Sequence, residues 1–272
     1  MPELPEVETI RASLDGVVVG RTIERVEFRT ARLRLPLEAA QREALGGRRI
    51  VATGRRGKYL FFHLDNDLAW IFHMGMSGVL RFTEESAPQP AVHDHVLAYL
   101  SGGGALVFRD PRRFGLCAVD DPATSKLLAG MGPEPLDALG FDAEYLSSFR
   151  RRTVRTVKDV LMDQHVVAGL GNIYVNEILF RAGVRPRRSM ARTTRAECAR
   201  IVDATRGVIA EAIEHKGSTI SDFLDGIGRR GGYQWHHAVY DRKGEPCSIC
   251  SAPIKALVIG QRSSFYCPNC QR

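Results

Sequence analysis

Long apolar runs are missing from this sequence. Nothing in its 272 residues approaches the ~20 consecutive apolar positions that cross a bilayer. Its first residues lack the basic start and apolar core of a signal peptide. These absences predict a cytoplasmic protein with no membrane partner. There is no glycine-rich nucleotide loop, which argues against a small-molecule enzyme, and no internal repeat or low-complexity segment. Cysteine is scarce, at six residues. Cys117 and Cys198 lie far apart in apolar-patterned surroundings and read as buried thiols. No feature suggests self-association, so a monomer is expected.

The other four cysteines are concentrated near the end of the chain. Cys247, Cys250, Cys267 and Cys270 form C-x2-C-x16-C-x2-C, the spacing of a four-thiolate zinc site. The same residues would serve two disulfides in a secreted chain, but nothing here suggests secretion. One Zn2+ per chain is expected, and the metal should fold the tail.

Hydrophobic residues make up 44% of the chain, enough for two domains plus the tail. The net charge of +7 and pI near 9.3 suit a polyanionic partner. Its distribution says more. Residues 150–200 carry twelve Lys or Arg against four acids, a surplus of +8 that exceeds that of the whole chain. A solvated face would mix the signs, so this segment reads as a phosphate-facing surface.

Residues 3–15 read as a helix, with Leu4, Val7, Ile10 and Leu14 at helical spacing and Gly16 as a stop. Between 21 and 120, TIERVEF, RRIVAT, KYLFFHL, LAWIF, GVLRF, VLAYL and ALVFRD read as strands without intervening helices, hence an antiparallel sandwich. The turn-rich stretch 131–139 is a linker. Helical patterns follow in TVRTVKDVLMDQ, in NIYVNEILFRAG and over 194–215, then a polar loop and the cysteine tail. The domains are set at 1–132, a linker at 133–149, then 150–236 and 237–272.

Several segments can carry chemistry. Gly169 and Gly171 permit φ above zero, and Asn172 is a good N-cap for the helix that follows. A helix start inside the basic segment reads as a DNA phosphate site or as an ordinary turn. Arg262, at the tip of a basic hairpin between the cysteine pairs, clamps phosphate or lies in solvent. The N-terminus is acidic, with Pro2, Glu3, Pro5, Glu6 and Glu8. First-turn helix chemistry accounts for Pro5, Glu6 and Glu8. Pro2 and Glu3 admit another reading. Once Met1 is removed, Pro2 is a free secondary amine with a pKa of about 8, a possible nucleophile beside a carboxylic acid. In DPRRFG at 110–115, an arginine–aromatic tip either wedges into a base stack or turns its phenylalanine into the core. Met76 heads a similar loop. Lys58 is a phosphate contact or a plain surface lysine.

These segments together resemble the bacterial formamidopyrimidine-DNA glycosylase family, which removes 8-oxoguanine and ring-opened purines. The resemblance rests on PELPEVET at 2–9, GK at 57–58, HMGMSG at 73–78, HDH at 93–95 and DPRRFG at 110–115. It continues through DQ at 163–164, GLGNIY at 169–174, GST at 217–219, GQR at 260–262, FYC at 265–267 and the four cysteines. It spans the chain and implies an α+β multidomain fold: an N-terminal helix plus antiparallel β-sandwich, a helix–two-turn–helix domain and a C-terminal four-cysteine zinc finger. It implies double-stranded damaged DNA as partner, Pro2 as nucleophile at C1′ and Glu3 as the acid that helps open the sugar. A Schiff base and β,δ-elimination follow. Met76, Arg112 and Phe114 match residues that fill the void of a flipped nucleotide, with Arg112 facing the orphaned cytosine. Lys58, Asn172 and Arg262 match phosphate-binding positions, and Lys158 matches a lysine near the lesion. His73 and His93 belong to matched DNA-side segments, and Gly169 and Gly171 to the phosphate turn. Ser218 and Thr219 open the loop over the flipped base. The chain departs from the family's usual pattern at Asp222, Arg229, Arg230 and Asp241, with glycine usual at position 241 alone, and at Val175-Asn176-Glu177, commonly Ala-Asp-Glu. Two alternatives are the sister enzyme for oxidised pyrimidines, against which Leu4 argues, and a zinc-dependent DNA-binding protein without chemistry, against which Pro2 and Glu3 argue.

Overall fold

The computed structural model describes residues 2–219 and 223–272, so Met1 and Asp222 lie outside the described residues. The chain divides into two compact units, residues up to 129 with 216–232, and residues 130–215 with 233–272.

The first unit opens with α1 (Leu4–Val18). Its apolar positions Val7, Ile10, Leu14 and Val18 fall on one face and are buried. Gly16 does not stop this helix, contrary to the sequence reading; the backbone turns only at Gly20, where φ is +85°. Strand β1 (Ile23–Phe28) follows, then a short helix α2 (Ala39–Leu45) that the strand-only reading missed. Four residues of this seven-residue helix are exposed and Leu45 alone is buried, so it shows no apolar stripe to read.

Seven further strands complete the unit: β2 (Ile50–Arg56), β3 (Tyr59–Leu64), β4 (Ala69–His73), β5 (Val79–Thr83), β6 (Asp94–Leu100), β7 (Ala105–Arg109) and β8 (Leu116–Asp120). They form two antiparallel four-stranded sheets, ordered β1-β6-β7-β5 and β2-β3-β4-β8. The core lies between these sheets and α1. It takes Leu60, Phe62, Trp70 and Phe72 from one sheet, and Val96, Leu106 and Phe108 from the other. Phe61, Ala69 and Ile71 point to the opposite face and pack under Leu127 and Leu128. Burial on both faces explains why YLFFHL reads as a continuous apolar run rather than an alternation. Strand β8 was absent from the sequence reading, which ended at ALVFRD.

In the second unit, α3 (Ala143–Ser148) stands where only a linker was read, and Asp142 caps it by accepting from the Tyr145 amide at 2.7 Å. Helix α4 (Val157–Met162) is shorter than its pattern suggested. Helices α5 (Asn172–Arg181) and α6 (Arg195–Glu214) agree with theirs, and Thr194 with Glu197 closes a capping box on α6. The unit ends in a hairpin of β9 (Lys255–Ile259) and β10 (Arg262–Tyr266). No helix among the described residues is long and apolar enough to cross a membrane.

Candidate nucleic-acid interface and metal centre

Three groups of side chains assemble in the first unit. The N-terminal group sits at the head of α1. Pro2 is half-buried and Glu3, the N-cap residue, is 2% exposed. The Glu3 amide donates to Glu6 Oε2 at 2.9 Å, and the Ser218 amide donates to Glu6 Oε1 at 2.7 Å. One buried carboxylate therefore ties the start of the loop after residue 217 to the head of α1. Gly217 has φ +73°, and a Cβ there would lie 2.7 Å from Glu6 Oε1, so only glycine fits. Thr219 Oγ1 accepts from the Gly231 amide at 2.9 Å and closes the base of the loop. Ser13 Oγ accepts from the Gly226 amide, and Arg229 pairs with the buried Asp225 at 2.9 Å.

A second group surrounds the turn between β2 and β3. Lys58 follows Gly57 there and is only 7% exposed, which removes the plain surface reading. His73, at the end of β4, accepts from the Gly75 amide on Nδ1 at 3.0 Å. Burial first, then the charges of Arg34 and Lys58, lower its pKa to about 3, so the ring is neutral.

The third group joins two loops. Asp110 is fully buried, and its carboxylate accepts from Ser77 Oγ at 2.5 Å, the Gly115 amide at 2.7 Å and the Arg112 amide at 3.3 Å. Its amide donates to the His93 carbonyl at 3.0 Å, and its carbonyl meets His95 Nε2 at 3.0 Å. This one residue thus fixes 110–115 against 73–78 and beside His93. The outcome is an exposed tip. Phe114 is 45% and Met76 44% exposed, and the Arg112 guanidinium lies 4.6 Å over the Phe114 ring. The core reading of Phe114 is thereby excluded. A hollow of about 270 Å³ between Met76, Phe114, Arg113, His73 and Arg34 lies beside it.

In the second unit, Gly169 has φ +85° and its amide donates to Gln164 Oε1 at 2.9 Å. Gly171 is extended, not left-handed as read, and is itself the N-cap; Asn172 is the first helical residue rather than the cap. Lys158 is fully buried, and its Nζ donates to the Ser263 carbonyl at 2.8 Å and Ser264 Oγ at 2.6 Å. Arg262 is exposed, but it opens β10 opposite Ile259; the tip is Gly260-Gln261, both at positive φ. Asp241 also has a left-handed φ of +62°, which aspartate tolerates and glycine adopts without strain.

The four cysteine sulfurs lie within 4.8 Å of one another, and none of the four is in a disulfide. Cys247 and Cys270 are 3.9 Å apart, Cys250 and Cys267 3.4 Å. A tetrahedron with Zn–S bonds of ~2.3 Å has sulfur edges of about 3.8 Å. The amides of Ile249 and Cys270 each donate to a cysteine sulfur at 3.4 Å, which suits thiolates. The donor set fits a tetrahedral thiophilic metal.

Sequence reasoning missed Glu6 as a tether, Asp110 as a loop lock, and Asn176 and Glu177 as buried braces. Each has at least one partner distant in the chain: Ser218 for Glu6, Ser77 for Asp110, Phe265 for Asn176 and residues 238–240 for Glu177. Only Asn176 and Glu177 carried a local signal, as polar residues within the apolar stretch of α5.

Comparison with known proteins follows the same three parts. Residues 1–117 match the formamidopyrimidine-DNA glycosylase N-terminal domain, 131–224 the formamidopyrimidine-DNA glycosylase H2TH domain, and 244–272 the zinc finger found in FPG and IleRS. Sandwich, helical domain and finger define a zinc-finger DNA glycosylase of the helix–two-turn–helix class. The formamidopyrimidine-DNA glycosylases of Burkholderia thailandensis and Thiobacillus denitrificans are each 46% identical to this chain, with both sequences covered completely. The structure resembles a Lactococcus lactis FPG mutant bound to Fapy-dG-containing DNA, with TM-score 0.92 and 32% identity over the whole of both chains. It also resembles the MutM (FPG) protein of Thermus thermophilus, with TM-score 0.88 and 39% identity over 99% of this chain and 98% of the other. The chain belongs to the formamidopyrimidine-DNA glycosylase family, so the enzyme reading prevails over the pyrimidine-lesion and binding-only alternatives.

Proposed function

We propose that this protein excises 8-oxoguanine and formamidopyrimidines from duplex DNA and then cleaves the strand. Loss of Met1 leaves the Pro2 nitrogen as a secondary amine. Its lone pair attacks C1′ of the flipped nucleotide, the glycosidic bond breaks, and the base departs with its electron pair and a proton. Glu3, buried beside Pro2, protonates the sugar ring oxygen as the ring opens to an iminium. Loss of the acidified C2′ proton expels the 3′ phosphate, and a second elimination expels the 5′ phosphate. Water then releases the sugar fragment and restores the amine.

Lys58, Asn172 and Arg262 hold phosphates, with the α5 N-terminus and the Gly169–Gly171 turn adding backbone donors. His73 and His93 flank the DNA-side loops. Met76, Arg112 and Phe114 fill the vacated stack, and the stacked Arg112 guanidinium faces the orphaned cytosine. Ser218 and Thr219 begin the loop over the flipped base. Lys158 acts near the lesion by holding the hairpin strand. One Zn2+ bound by the four cysteines supplies structure only. The working form is a cytoplasmic monomer, with function divided as 1–132, 133–149, 150–236 and 237–272.

The observation that carries the reading is the buried Glu3 next to Pro2, with the Glu3 backbone amide tied through the Glu6 carboxylate to Ser218. The test is borohydride trapping on a duplex with 8-oxoguanine opposite cytosine. A reduced adduct located on Pro2 by mass spectrometry is expected. No adduct and no cleavage, in zinc-replete protein with a free Pro2, would overturn the proposal.

A further inference from the structure

We infer that Asn176 is a positioning residue that sets the Arg262 hairpin against the N-terminus of α5. The inference rests on the phosphate-binding reading of Asn172 and Arg262. Asn176 lies in the second turn of α5 and is completely buried. Its Oδ1 accepts from the Phe265 amide at 2.7 Å, and its Nδ2 donates to the Asn172 carbonyl at 2.5 Å. The partners fix the orientation of the amide, because a backbone N–H must face oxygen and a carbonyl must face nitrogen. One side chain therefore touches the first residue of α5 and the strand that carries Arg262, which lies three residues before Phe265.

Beside this bond Phe265 packs in an apolar cluster with Phe180 of α5, and two further polar footings of the hairpin, among the described residues, lie on α4. Lys158 holds Ser263 and Ser264. At the tip, Gly260 comes so close that a Cβ would stand 2.8 Å from Asp159 Oδ1. These contacts fix the tip and the middle of the hairpin to α4. Of these three polar contacts, the one from Asn176 ties β10 to α5, the helix whose N-terminus is the proposed phosphate site. Removing its oxygen leaves the Phe265 amide buried without an acceptor, and β10 must shift or expose that group. Either change moves Arg262 relative to Asn172, although neither residue has been altered.

Three variants of the full-length zinc-loaded protein test this: N176L, N176D and R262Q, with the N176L/R262Q double variant. Binding to duplex with an abasic-site analogue is measured at one salt concentration. N176L should weaken binding about tenfold. R262Q should weaken binding in the native background but by less than about twofold further in N176L, because the hairpin no longer presents the arginine correctly. N176D keeps the acceptor for Phe265 but sets its other oxygen against the Asn172 carbonyl, so it should bind less tightly than native and more tightly than N176L. Hydrogen exchange at the Phe265 amide should accelerate in N176L and stay slow in N176D. N176A, which adds no bulk, replaces N176L if the leucine variant folds poorly. Additive losses, or an N176D as weak as N176L, would overturn the inference while the phosphate reading stands. An R262Q that is silent in the native background would instead remove the phosphate reading of Arg262, and the inference with it.

Discussion

The Asp110 carboxylate offers the sharpest test of how the 110–115 tip is built. Two oxygens meet three donors, the Ser77 hydroxyl and the Arg112 and Gly115 amides, in a fully buried position. D110N preserves shape but leaves one oxygen. If that oxygen keeps Ser77 and Arg112, the new NH2 faces the Gly115 N–H, donor against donor. A lost charge-assisted bond costs about 1.5–3 kcal/mol, and the remaining two bonds weaken when the charge goes. The sum is roughly 2–4 kcal/mol. A change of that size lowers the melting transition of the first unit by roughly 5–12 °C. Its local effect is larger, since the same groups hold Arg112 and Phe114 at the surface. Differential scanning calorimetry gives the first quantity and amide exchange at Gly115 the second. Excision opposite cytosine should fall more steeply than binding to undamaged duplex. A D110N protein that melts with the native one and keeps Gly115 protected would show that the carboxylate does not lock this loop.

Glu6 carries a parallel prediction. E6Q can accept from the Glu3 amide or the Ser218 amide but not both, so Ser218 exchange should accelerate and the trapping yield on Pro2 should drop about tenfold; native values for both would refute the tether. His73 predicts an acid limb. Its folded pKa of about 3 lies below the ordinary 6.5, so the unfolded chain binds the extra proton, and the stability this ring contributes is present above pH 6.5 and lost as pH falls toward 3. H73Q, which can still accept from Gly75, should flatten the pH dependence of melting between pH 6 and 4, and an unchanged slope would refute it.

How far the sequence reveals the molecule depends on whether a residue's partner is near it in the chain. The helical stripe of α1, the strands and the two cysteine pairs are local patterns, so they could be read directly. The Thr194–Glu197 capping box lies within the span read as helix. Helix α2 has one buried residue in seven, and β8 follows a loop whose arginines and glycine hide its start. Gly171 and Asn172 illustrate a boundary error of one residue. Both are good caps, and only the extended backbone of Gly171 decides between them. At the candidate site, Pro2, Glu3, the DPRRFG tip and the cysteines stand out by chemistry. Their supports do not, because Glu6 is separated from Ser218 by 212 positions and Asn176 from Phe265 by 89. A polar side chain gives no sign in the sequence of which distant amide it will meet.

A metal held by the four cysteines is expected to govern DNA contact through the fold of the finger, without touching DNA itself. The finger's apolar cluster has six buried members, Phe180, Val239, Cys247, Ile254, Phe265 and Cys267, and Phe180 is borrowed from α5. A core this small does not hold a chain of this length by itself. Buried Glu177 helps by accepting from the amides of Ala238, Val239 and Tyr240 at 2.7–3.0 Å, although burial pushes its carboxyl pKa up. These braces grip the approach to the finger and β10, but none of them joins the two cysteine pairs to each other. That junction needs four thiolates around one cation, which repel one another once the cation leaves. Chelation should therefore release protection in β9 and β10 and weaken DNA binding. The strands of the first unit and helix α6 should keep theirs, because neither depends on a thiolate. If the hairpin amides of metal-free protein stayed protected, Lys158, Asn176 and Glu177 would be sufficient to fold it, and zinc would have no claim on the placement of Arg262.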